Sequence, residues 1–136
     1  MPVMGTWDAT VFGNDAAADW AAGLVDAGDE QLVRDALERA VGPDCVHYLE
    51  YSEGVEALAA AEVVAAAAGR ATASNPYNEK ALGWAVGRSG LVELVPLAVR
   101  AAERVIAENS ELRELWAEPD DPAWAAAVQD LLGRLR

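Results

Sequence analysis

ALAAAEVVAAAAG, residues 57–69, decides the fold class. Alanine is the strongest helix former, and valine and leucine do not interrupt it over so short a run. From residue 57 to 68 the only polar side chain is Glu62. A helix that is apolar on every side belongs in the middle of a helical protein, because it has no face to show to water. The spacing predicts a helix over about 52–68, ended by Gly69-Arg70, with other helices packed around it. Glu62 shares a stripe with Val55, Leu58, Ala59 and Ala66. A buried ionised carboxylate costs several kcal/mol, roughly, unless it is paired or well hydrogen-bonded. Glu62 therefore calls for a partner, a proton or a narrow exposed seam. The candidate partners are Arg88, Arg100, Arg104, a Trp indole N–H, or backbone N–H groups of the N-terminal leader. Fixing one packing arrangement is the structural reading of Glu62. A ligand-binding or catalytic role is the functional one, because perturbed carboxylates cluster at sites.

Helical patterns flank this segment on both sides. Asn14 or Asp15 caps a first helix with the stripe Ala16, Trp20, Leu24, stopped by Gly28. A second runs from Asp29 to Gly42-Pro43, with Leu32, Val33, Ala36, Leu37 and Ala40 three and four apart. Residues 44–51 read as an extended or turn-like connector. A fourth helix covers about 78–88, weakened by Gly83 and Gly87, and Ser89-Gly90 is a break. A fifth covers about 91–108, with Pro96 near its start, where the first N–H groups lack intrahelical partners. Ser110 caps a short helix over 111–117, as Ser52 would cap the central one. Asp121 and Pro122 open the last, whose apolar face is Trp124, Val128, Leu131, Leu132 and Leu135. No strand pattern competes. The expectation is an all-α, single-domain irregular bundle of six to seven helices over 1–136. Its non-helical leader, 1–13, carries Trp7, Val11 and Phe12 and packs on the central Ala-rich helix, with Glu62 accepting hydrogen bonds from it.

Ten basic against 23 acidic residues leave a formal charge of −13. That excess disfavours nucleic acid and anionic membrane surfaces and suits a basic protein partner. It also serves plain solubility. The single cysteine, Cys45, excludes an intramolecular disulfide framework and fits a reducing cytoplasm. No apolar run is long enough to span a membrane, and MPVMGTWD does not read as a secretory signal.

Chemistry-bearing motifs are sparse. His47 is the only histidine, and the four serines stand in no G-x-S-x-G. Cys45 and His47, two apart, would share a strand face but have no orienting partner in sequence. His47, Glu50 and Glu53 are weak metal-ligand candidates, and capping with solvation explains the two glutamates equally well. No phosphate-binding loop occurs, and no cofactor is called for. The ligand-binding or structural-polar candidates are Glu62, Trp7, Asn14, Asp15 and Trp20.

Several stretches together resemble a known family. They are MGTW (4–7), FGND (12–15), ADW (18–20), ALAAAEVVAAAAG (57–69) and NSELRELW (109–116), followed by Trp124 and LLGRL (131–135). As a set they resemble the DUF4259 family, small bacterial proteins of unknown function. The likeness runs from Met4 to near the end and departs at residues 8–11. It implies one fold unit and no activity, cofactor or catalytic residue. The expectation is a non-enzymatic acidic helical module that binds another protein, in an immunity-like or regulatory role. The alternative is a small enzyme or ligand binder with a site around Glu62 and the Trp-containing leader. A homo-oligomer using exposed aromatics is a third reading.

Overall fold

The computed structural model describes residues 14–42, 48–72, 78–117 and 122–136. The leader with Trp7, Val11 and Phe12, and with it Cys45, His47, Ser74 and Asp121, lies outside the described residues. Eight helices are described, and no strand is present among the described residues. They are α1 (Asp15–Ala27), α2 (Gln31–Val41), α3 (Tyr51–Ala67), α4 (Glu79–Ala85), α5 (Ser89–Val92), α6 (Val95–Ile106), α7 (Glu111–Ala117) and α8 (Ala123–Leu135).

The Ala-rich segment is the hub, as its composition requires. From Ala57 to Ala66 every residue of α3 is buried, Glu62 included, and α3 touches every other helix. Alanine makes this arrangement feasible: short side chains let seven neighbours approach one helix. The larger side chains come from those neighbours, among them Leu24, Val33, Leu37, Leu91, Val105 and Leu131, all with 0–1% exposure. Removing one such leucine to alanine costs about 2–5 kcal/mol, because the cavity closes only in part.

Local chemistry explains most helix ends. Asn14 Oδ1 accepts the Ala17 N–H at 2.8 Å and starts α1. Gly28, at φ 63°, ends it in the left-handed conformation that favours glycine. Asp29 accepts the Gln31 N–H at 2.9 Å ahead of α2. The start of α3 differs from expectation: Ser52 lies inside the first turn, and Glu50 with Glu53 forms the capping box.

The stretch expected as one helix over about 91–108 is two helices, α5 and α6. Pro96 has no N–H to give to the carbonyl of Val92, and its ring crowds that carbonyl. The chain therefore turns at Glu93-Leu94, and Pro96 sits in the first turn of α6. Likewise α4 stops at Ala85, three residues short, because Gly87 turns with φ 82°. Pro122 is the N-cap position of α8 rather than its first helical residue.

Candidate functional site

Glu62 is paired. Both its oxygens accept from the guanidinium of Arg134 on α8, Nη1 to Oε1 at 2.7 Å and Nη2 to Oε2 at 2.9 Å. The fork of the guanidinium matches the carboxylate, which makes the pair both strong and directional. Glu62 is 2% exposed, so no open face of the carboxylate remains for another molecule. Arg134 is held further by Asp130, which accepts from Nε at 2.8 Å, and by the Arg70 carbonyl at 3.1 Å. Arg70 returns the contact, donating to the Arg134 carbonyl at 3.2 Å. The hydrogen bond that Arg134 donates to Glu62 raises its pKa above the ordinary arginine value.

None of the three arginines expected beside Glu62 is its partner. Each is drawn to a nearer acceptor or to another opening. Arg88 lies over the Trp84 ring at 3.9 Å, donates to the Trp84 carbonyl, and meets Glu30 at 3.3 Å. Arg104 donates to the carbonyls of Glu108 and Asn109 beyond the end of α6. Arg100 lines a cleft between α2 and α6.

A second grouping forms where two distant segments meet. The Leu49 N–H donates to the Asn109 carbonyl at 2.8 Å, and the Glu111 N–H donates to the Leu49 carbonyl at 2.9 Å. This parallel bridge between Leu49 and Ser110 holds the entry of α3 against the entry of α7. Asn109 makes the turn at φ 61°, a conformation asparagine tolerates better than most residues. Glu111 Oε1 then accepts the Tyr51 N–H at 2.8 Å, and the Tyr48 hydroxyl donates to Glu114 Oε1 at 3.0 Å. Tyr48 is an exposed aromatic, 46% accessible, beside Glu114, Glu111 and Glu50. Partial loss of hydration, the bond to Glu114 and the negative charge of all three glutamates raise its pKa above 10.0.

The cleft between α2, α6 and the first turn of α3 has a volume of about 820 Å³. Arg34, Arg39 and Arg100 line it together with Glu38, Glu53 and Glu93, so its charges balance. The remaining sequence candidates are dispersed. Asn14 is the cap of α1, Asp15 is exposed in that helix's first turn, and Trp20 packs half-buried on the core. Glu53 accepts the Glu50 N–H at 3.0 Å, so capping occupies it. His47 and Trp7 lie outside the described residues. Among the described residues, no group of three His, Cys, Asp or Glu is placed to hold a metal ion.

Sequence reasoning missed Arg134, Tyr48 and Glu114. Arg134 lies three residues after the buried Leu131 on an apolar helix, which is the signal that could have marked it as inward-facing.

The profile of a family described as Domain of unknown function (DUF4259) matches residues 5–127. No curated protein and no solved structure matches the chain. None of the described helices is long and apolar enough to cross a membrane.

Proposed function

The chain belongs to DUF4259, a family of domains of unknown function, and on that premise we propose that it is a non-enzymatic, acidic protein-binding module. The observation that carries this reading is the surface around Tyr48. An exposed aromatic ring stands beside Glu50, Glu111 and Glu114, on a chain of net charge −13. Such a ring with its carboxylates suits the lysine and arginine side chains of a basic partner, through cation–π contact and charge-assisted hydrogen bonds. The wider negative field would speed encounter with that partner. The bridge between Leu49 and Ser110 supports the reading, because it holds the two segments that present the surface in one geometry. The role we infer for it is immunity-like or regulatory, in a reducing bacterial cytoplasm that suits the single cysteine, Cys45. The rival reading, an enzyme or ligand binder built on Glu62, draws no support from a carboxylate whose two oxygens are both bound by Arg134.

The test is capture from a lysate of the native host at low and then physiological salt, with the wild type beside Tyr48→Ala and Glu114→Lys. A stoichiometric basic protein, released as salt rises and lost with both variants, is the expected result. Capture of no basic protein, or equal capture by both variants, overturns the reading.

A further inference from the structure

The cleft between α2 and α6 is electrically balanced on a chain that is not. Arg34, Arg39 and Arg100 line it with Glu38, Glu53 and Glu93, whereas the whole chain carries −13. Most of these side chains are engaged within the chain. Arg34 meets Glu38 and Arg39 meets Glu56, each at 3.5 Å, and Glu53 accepts the Glu50 N–H. Glu93 and Arg100 are left. Both are exposed, and neither meets an opposite charge among the described residues. They stand on the α6 side of the cleft, with Pro96 and Leu97 midway between them in the chain. Pro96 is exposed and Leu97 half-buried, and Val92, next to Glu93, is 40% exposed.

This pattern is complementary to its own reverse. In a twofold interface, if residue i of one copy meets residue j of the other, then j also meets i. An axis passing between Pro96 and Leu97 sets Glu93 of each copy against Arg100 of the other and brings the apolar side chains together at the centre. A purely basic partner would be opposed by Arg100, and a purely acidic one by Glu93. The net charge of −13 lies outside this balanced face, so two copies repel each other elsewhere and not here. We propose that the exposed face of α6 is the interface with a second copy of this chain, the two α6 helices packing antiparallel about Pro96 and Leu97. The surface around Tyr48 takes no part in it.

The experiment is sedimentation velocity on the whole chain, from low micromolar to submillimolar concentration, at physiological salt, where charges more than about 8 Å apart are largely screened. The wild type is expected to form a dimer. Glu93→Arg and Arg100→Glu each weaken it by at least about tenfold, because each sets like charges together at two places in the interface. The two substitutions move the net charge in opposite directions, so a loss shared by both does not come from net charge. An equimolar mixture of the two variants restores the dimer, since the arginines of one copy then face the glutamates of the other; the rescue also shows that both variants are folded. A monomeric wild type, which leaves the face to a different partner, overturns the proposal. So does a dimer that either variant leaves intact, or a mixture that stays monomeric.

Discussion

Arg134 and Arg136 stand two residues apart at the end of α8, and each meets a glutamate at nearly the same distance. Arg134 reaches Glu62 at 2.7 Å, and Arg136 reaches Glu103 at 2.8 Å. Distance alone would rank them as equals, although the first pair is a two-bond fork and the second a single contact. Burial separates them: the side chains of the first pair are 19% and 3% exposed, and those of the second 55% and 50%. Water screens the outer pair and solvates each partner when the other leaves. Glu62 has no such refuge, so its need for Arg134 is far greater than the attraction between them would suggest. The same contrast separates Glu62 from the acidic surface: Glu114 is exposed beside Tyr48, whereas Glu62 must be answered inside the protein.

The comparison can be broken most directly at Arg134. Arg134→Ala strands a buried carboxylate and is expected to destabilise the fold by about 3 kcal/mol, the lower end for a broken buried pair because Arg134 is partly exposed. Urea denaturation followed by circular dichroism measures this, and a loss below about 1 kcal/mol would contradict the burial argument. Replacing both partners, Glu62→Met with Arg134→Met, should recover most of the loss, since apolar replacements of similar volume need no partner.

Arg134→Lys sharpens the point. It keeps the charge but loses the fork, so an intermediate cost of about 1–2 kcal/mol is expected in the same denaturation. Arg136→Ala, at the outer pair, should change stability by less than about 0.5 kcal/mol, and raising the salt should erase even that.

The subtlest effect is a titration at Tyr48. Its pKa is raised, so the folded protein keeps a proton that the unfolded chain begins to lose near pH 10.0. The contribution is therefore lost as pH rises through 10.0 and beyond. Glu114→Gln should move the Tyr48 midpoint down toward 10.0 in an ultraviolet tyrosinate titration. A midpoint unmoved by the substitution would show that Glu114 does not set it.

Much of the fold was legible in the sequence because helix formation is encoded locally. Asn14 and Gly28 bracket α1, Ser110 precedes α7, and the Ala-rich run marks the hub, all through spacings of a few residues. Glu62 was legible as a problem needing a partner. Arg134 was not legible as the answer, since 72 residues separate the two. The division of α5 from α6 was missed although Pro96 marks it: in a helix beginning at residue 91 it would fall in the second turn, where its missing N–H and its ring break the helix, so it belongs in the first turn of a new one. The Tyr48 surface was hidden for the same reason as Arg134. It depends on a bridge between residues 49 and 110 that no periodicity announces.

The sequence by itself determined an all-helical protein, a central helix without a wet face, and one carboxylate in that helix requiring compensation. These follow from composition and from spacing within single turns. Only the tertiary structure decided which arginine compensates Glu62, which carboxylates gather around Tyr48, and which charges balance in the cleft between α2 and α6. Those outcomes depend on how whole helices pack, where each side chain chooses among partners that the chain order does not rank.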